Sequence, residues 1–259
     1  MKTYIISPSE LSYLCNHCAY VGKNFNLYPK QISAGVTQTL DSMEKKYFLG
    51  DVKKIDKDIK KGETIDPFNI SFFSQILKDD KNRSFRIKGK GDAIIKFEDG
   101  TSGIVDYKTS KFKEKNGKDY NDELNKKIFE YTSQLHCYSL LYSHLETDEK
   151  FLAENTRAKK PDSIKKSIEE TQKKIKKISI KETSLLGLVF IYPEKLLNKD
   201  NVSVDFSHKF IKVKLDMKNF MRLLTKYLDM LHNEKPPEPT EDCKSCNYFI
   251  SAGRIMNEK

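Results

Sequence analysis

Residues 84–108 read SFRIKGKGDAIIKFEDGTSGIVDYK, and the fold is decided here. Phe85, Ile87, Gly89, Gly91, Ala93, Ile95 and Phe97 alternate with mostly polar residues. That period of two marks extended chain with one buried face. Asp99-Gly100 is a hairpin turn signal, and Gly103 to Lys108 reads as the returning strand. Side chains alternate along a strand, so Asp106 and Lys108 share a face and Tyr107 points the other way. Asp92 lies across the hairpin on the partner strand. Two carboxylates and one ammonium therefore converge on one patch.

Working outward, Ser7-Pro8-Ser9-Glu10 looks like a helix start that carries Leu11 and Leu14 towards Cys15. A second helix is expected from Ala34 to about Phe48, with Val36, Leu40, Met43 and Tyr47 as its apolar stripe. Residues 51–70 are Lys-rich and read as a loop. Phe72, Phe73, Ile76 and Leu77 suggest a short helix. After a polar loop at 111–122, a helix from Ile128 to about Leu145 carries Tyr131, Leu135, Tyr138 and Tyr142 along one side. Residues 159–180 form a basic helical segment with a stripe of Ile164, Ile168, Ile175 and Ile178. Leu185 to Tyr192 is an apolar strand that Pro193 should end, Val202 to Leu215 a hairpin or long strand, and Asp216 to His232 an amphipathic helix. This order predicts a mixed α/β chain whose central mixed sheet is flanked by helices.

The residue types in the patch suit a hard cation. Mg²⁺ and Mn²⁺ prefer oxygen ligands and keep several waters. Asp92, Asp106 and the backbone carbonyl of Tyr107 can hold such an ion and leave positions open for phosphate and water. Lys108 can orient that water or stabilise charge developing on the phosphate. Asp-x-Lys alone favours an exposed acid pair beside a lysine, which any basic protein contains; the hairpin and the preceding Gly89-Lys90-Gly91-Asp92 shift the reading towards the catalytic one.

Three pieces together, GKGDAIIKF at 89–97, GIVDYKTS at 103–110 and QLHCYSLLY at 134–142, resemble the RecB-like branch of PD-(D/E)XK nucleases. The resemblance implies a restriction-endonuclease-like core at about 84–215 inside a single nuclease domain spanning 1–259. It implies that Asp92 and Asp106 bind metal, that Lys108 is catalytic, and that Gln134 and Tyr138 shape the DNA side of the site. Gln134 and Tyr138 are four apart and share a helix face; Tyr138 also fits a core aromatic beside Leu135 and Tyr142. Family members often place a histidine or glutamate on the early helix as an extra metal ligand, in a pattern like Gly-x-x-x-His-Glu. This chain has Gly35-Val-Thr-Gln-Thr-Leu-Asp-Ser-Met-Glu instead. Asp41 is the preferred replacement, with Glu44 as the alternative.

Cys15-Asn-His-Cys18 and Cys243-Lys-Ser-Cys246 are two C-x-x-C pairs, a spacing that suits a tetrahedral metal with two ligands from each knuckle. Segments 1–30 and 234–250 are expected to form a clasp that joins the ends of the chain. Four thiolates can hold zinc or an iron–sulfur cluster. Similarity to CRISPR-associated RecB-like exonucleases and AddB-type nucleases implies a 4Fe–4S cluster, zinc being the alternative. Those families use one N-terminal and three C-terminal cysteines, a pattern this chain does not share. Cys137, inside the helix, reads as a small buried residue.

The net charge of +10 fits a polyanionic partner or simply lysines filling exposed positions, and Lys159 to Lys181 could follow a phosphate backbone or, somewhat better, be a solvated helix whose isoleucines dock on the body. Nothing resembles a base-reading module, so little sequence specificity is expected. No segment approaches the apolar length of a membrane span, and a soluble cytoplasmic protein is expected. The expected activity is phosphodiester hydrolysis at single-stranded DNA ends, with protein partners in CRISPR adaptation or repair. The competing readings are a non-catalytic nucleic-acid-binding module that kept the fold and a restriction-type endonuclease subunit.

Overall fold

The computed structural model describes residues 2–13, 15–28, 35–67, 70–109, 119–198, 203–248 and 250. The chain opens with strand β1 (Tyr4–Ile6) and helices α1 (Glu10–Tyr13), α2 (Asn16–Phe25) and α3 (Gly35–Phe48). Strands β2 (Gly50–Asp51), β3 (Gly62–Ile65), β4 (Phe72–Phe73), β5 (Leu77–Lys78), β6 (Ser84–Gly89), β7 (Ala93–Phe97) and β8 (Ser102–Thr109) follow. Helices α4 (Asp119–Ser143), α5 (Glu149–Asn155) and α6 (Pro161–Ile178) lead to the long strands β9 (Thr183–Asn198) and β10 (Ser203–Val213), then to α7 (Met217–His232).

Six strands form one mixed sheet in the order β10-β9-β8-β7-β3-β2. Only β8 and β9 pair in parallel, and the helices α4 to α6 make that crossover. β1, β4 and β5 pair with β6 in a smaller sheet, β1 in parallel. Both faces of the main sheet are covered. Ile94, Ile104, Leu186, Leu188 and Phe190 pack with α4 and α7; Ile95, Val105, Tyr107 and Val189 pack with Phe48 of α3 and with Val52, Ile55 and Ile59. The expected helix-flanked mixed sheet is therefore present.

Asp216 caps α7 by accepting from the Asn219 amide, and Phe220, Leu224, Leu228 and Leu231 form its buried stripe. Around α1, the Ser7 amide donates to Glu10, the reciprocal half of a capping box. Leu14, 110–118 of the polar loop, and 199–202 lie outside the described residues.

Several expectations are corrected. The stretch 51–70 is not a loop throughout: β3 pairs with β7, and β2 with β3, extending the sheet. Phe72-Phe73 and Leu77 lie on strands that pair with β6, not on a helix. A short apolar run carries no usable period, and pairing with β6 decided it. The single strand read across 85–97 is two strands in different sheets, broken at Lys90-Gly91-Asp92. Pro193 does not end β9. The ladder from β8 stops at Ile191, and the register to β10 shifts at Asp205/Phe206, so the missing proline N–H falls at an irregularity. On α3 the apolar stripe is not the buried one: Met43 and Tyr47 are exposed, and Glu44 and Phe48 are buried.

Candidate active site

The site forms at the C-terminal end of β8. The β7–β8 ladder pairs Ala93 with Val105, so Asp92, one residue before the ladder, comes level with Asp106. The Tyr107 amide donates to Asp92 Oδ2 at 3.0 Å, which fixes that carboxylate against the neighbouring strand. Two glycines allow this approach. A Cβ at Gly91 would lie 3.0 Å from the Tyr142 hydroxyl, which accepts from the Gly91 amide at 2.8 Å. A Cβ at Gly89 would lie 3.2 Å from the Tyr138 ring and 2.9 Å from Pro8.

Asp106 is buried, and Lys108 Nζ lies 2.6 Å from its Oδ2. That contact is off the hydrogen-bonding direction, so this buried oxygen accepts no hydrogen bond. Lys108 also donates to Gln134 Oε1 of α4 at 3.1 Å, and its ammonium sits 4.3 Å over the Tyr131 ring. Burial pushes the Asp106 carboxyl well above the usual carboxylate range, and the Asp92 charge adds to this; Lys108 opposes it. Gln134 Nε2 reaches the Tyr138 hydroxyl at 3.4 Å. Tyr138 is itself buried and packs on Tyr142. It supports Gln134 from behind, as the core aromatic that its place beside Leu135 and Tyr142 allows.

Helix α3 closes the other side. Lys45 Nζ bridges Asp92 Oδ1 at 2.9 Å and Asp41 Oδ2 at 3.0 Å. Burial lowers the Lys45 pKa, but Asp92 and Asp41 outweigh it, and the net shift is upward. Glu44, one position before, is buried and accepts from Thr109 Oγ1 at 3.0 Å. Burial raises its carboxyl, and nearby Asp41 and Asp92 add to the rise. The structure thus brings Asp92, Asp106, Lys108 and Gln134 together and sets Tyr107's amide against Asp92. Asp41 reaches the group only through Lys45. The sequence reading missed Lys45, whose one signal is its i,i+4 spacing from Asp41.

The donor set fits a hard divalent cation. It consists of carboxylate oxygens, and the buried Asp106 Oδ2 lacks a hydrogen bond. Lys108 and Lys45 neutralise these acids from within the protein.

The second cluster lies near the two ends of the chain. Cys15 Sγ is 3.4 Å from Cys246 Sγ, Cys18 Sγ is 3.5 Å from Cys246 Sγ, and Cys18 Sγ is 3.8 Å from Cys243 Sγ. All four sulfurs lie within 4.8 Å of one another. Cys15 caps α2 by accepting from the Cys18 amide. The two ends are tied by Tyr20, whose hydroxyl donates to the Asn233 carbonyl at 2.8 Å, and by Asn24, which donates to the Leu231 carbonyl at 3.1 Å. His17 turns away to the Pro237 carbonyl. Cys137 is buried in α4 and is not part of this group.

A protein-family model described as the PD-(D/E)XK nuclease superfamily matches residues 27–250. Among solved structures, one described as the crystal structure of SSO0001 is similar over 96% of this chain and 86% of that chain, at 16% identity and a TM-score of 0.42. No curated protein matches the sequence. Among the described residues, no helix is long and apolar enough to cross a membrane.

Proposed function

Because the chain belongs to the PD-(D/E)XK nuclease superfamily, a family of metal-dependent nucleases, we propose that it trims single-stranded DNA ends at the Asp92–Asp106–Lys108 site. The observation that carries this reading is one contact. Lys108 is held between Asp106 at 2.6 Å and Gln134 at 3.1 Å, beside the acid that Tyr107's amide orients. An Asp-x-Lys pair on a solvated surface has no reason to be buried and braced from a second element.

Asp92, Asp106 and the Tyr107 carbonyl would hold Mg²⁺ or Mn²⁺. Such an ion supplies Lewis-acid polarisation of the phosphate and lowers the pKa of a bound water. Lys108 orients the attacking water and stabilises charge on the phosphate, with Gln134 fixing its ammonium. Asp41 was the preferred extra ligand from sequence. Glu44 is a further candidate oxygen, because it is buried and held by Thr109 at the strand end that carries Lys108.

At the cysteines we propose zinc in place of the 4Fe–4S cluster that the motif likeness implies. Zinc–thiolate bonds of about 2.3 Å in a tetrahedron set the sulfurs about 3.8 Å apart. Three of the sulfur pairs lie 3.4, 3.5 and 3.8 Å apart and all four sulfurs lie within 4.8 Å of one another, close enough for a single shared metal. A cubane cluster binds each cysteine to a different iron and holds the sulfurs further apart. Zinc here closes one domain spanning 1–259. The RecB-like placement, and with it a role beside partner proteins in CRISPR adaptation or recombinational repair, rests on GKGD, VDYKT and the Gln134–Tyr138 spacing.

The test is digestion of an end-labelled single strand with Mn²⁺ by the wild type, Asp106→Ala and Lys108→Ala. Loss of cleavage in both variants supports the site, and equal cleavage in all three rejects it. A ladder of progressive shortening supports end trimming, whereas discrete internal fragments would make it a restriction-type endonuclease.

A further inference from the structure

A cavity of about 390 Å³ lies between the outer face of α3 and the first half of β10. Its walls are apolar and aromatic. Met43 is 61% exposed, Tyr47 59% and Phe206 43%, and Phe48 forms the floor. These residues are large, unshielded and adjacent, which isolated surface apolar residues are not.

The cavity shares a wall with the active site. Glu44 lines it and also accepts from Thr109, the residue after Lys108. Phe48 stacks on Tyr107, between Asp106 and Lys108, with ring centroids 5.2 Å apart at 24°. Glu44 is thus the group that the cavity shares with the site, while the Phe48–Tyr107 stack lies on the sheet face opposite Asp106 and Lys108.

The charges define the occupant. Among the described lining residues the charged groups are two carboxylates, Glu44 and Asp205, with the His208 imidazole beside them. A phosphate is repelled there. A flat, uncharged heterocycle with N–H groups on its edge fits the aromatic walls and the acceptors. Cations stand outside the cavity, at Lys54 over the Tyr47 ring (5.7 Å) and at Lys108. The volume lies within the usual range for small-molecule sites.

We propose that this cavity is a base subsite: it receives one unpaired nucleobase of the substrate strand, stacked on Tyr47 and Phe206, while the adjoining phosphate lies at Asp92, Asp106 and Lys108. This rests on the nuclease reading and deepens it. A paired base could enter only by leaving its stack, at a cost that a single strand does not bear. The cavity thus selects single-stranded ends by shape and stacking, with no need for base-edge specificity.

The test uses anisotropy of a labelled single strand of about 12 deoxythymidines, with Ca²⁺ replacing Mn²⁺ to prevent cutting. One abasic residue is stepped along the strand. Wild type should show one register where the abasic residue weakens binding by roughly tenfold, the size of one lost base–aromatic stack. Tyr47→Ala and Phe206→Ala should weaken the intact strand similarly and flatten the abasic profile. Both side chains are exposed, so their loss removes little of the core. A flat wild-type profile overturns the proposal, as does a profile that both variants retain. A change of oligomeric state in the variants with unchanged strand affinity overturns it too, and would mark a self-association face. The nuclease reading fails separately, if Asp106→Ala still cuts in Mn²⁺.

Discussion

In the cysteine clasp, four soft donors face one another within 4.8 Å. In the carboxylate site every acid already has a partner: Asp92 and Asp41 share Lys45, Asp106 has Lys108, and Glu44 has Thr109. Packed thiols gain little from one another, so a metal held in the first arrangement, as proposed above, would contribute to folding. The second is stable on protein contacts alone, so its ion can exchange with the substrate.

The widest separation between the two regions should appear on removing Asp106. Asp106→Ala is expected to cut the cleavage rate by about a thousandfold or more, since it removes an ion ligand and the brace for Lys108. Thermal unfolding should barely shift, because the lost acid was itself raised by burial. A large drop in melting temperature would show that the carboxylate site is structural as well, and the contrast would collapse.

Cys246→Ser tests the opposite side. Cys246 is buried and contacts both Cys15 and Cys18. With zinc bound as proposed, losing one of its four ligands is expected to lower stability by several kcal/mol, to about the level of the metal-free chain. Elemental analysis of the wild type should give one zinc per chain and no iron. Iron with a visible charge-transfer band would replace zinc with a cluster, although the clasp would keep its folding role.

The two regions were unequally legible in the sequence. The spacing of the C-x-x-C pairs announced the clasp, and the structure closes it as expected. The hairpin was legible because Asp99-Gly100 and the alternation from Ala93 to Phe97 act within a few residues of one another. Its consequence, Asp92 level with Asp106, followed. What failed depended on distant partners. Nothing local in Gly62–Ile65 shows that it pairs with β7, and nothing in Phe72-Phe73 shows that it pairs with β6. The α3 stripe was misplaced because Met43 and Tyr47 have helical spacing but face outward, where the polar Glu44 would be expected. Lys45 was invisible for a different reason: in a chain with 47 Lys and Arg, one more lysine carries no signal until its two carboxylates are seen.

Lys45 gives a way to sharpen the comparison. If its ammonium stands in for a cation between Asp41 and Asp92, then Lys45→Met should free both acids and tighten Mn²⁺ binding by about tenfold, the effect of losing one partly buried competing charge. Titration calorimetry on the variant measures it. Weaker binding would mean that Lys45 holds Asp92 in its binding orientation instead of competing for it.

The smallest effect concerns protons. Burial raises the carboxyl pKa values of Asp106 and Glu44 in the folded chain, so each keeps its proton to a higher pH than a free carboxylic acid. An ion binding there must displace those protons. Affinity for Mn²⁺ should therefore fall as pH drops from neutral into the mildly acidic range, by up to about tenfold per pH unit for each proton released, and level off at higher pH. The same proton release makes the observed binding enthalpy depend on the buffer's ionisation enthalpy. The clasp should show neither effect over this range once zinc is bound, because its thiolates are then committed to the metal. Mn²⁺ affinity that stays flat with pH would mean that Lys108 and Lys45 already keep both acids ionised, and the carboxylate site would then be as preformed as the clasp.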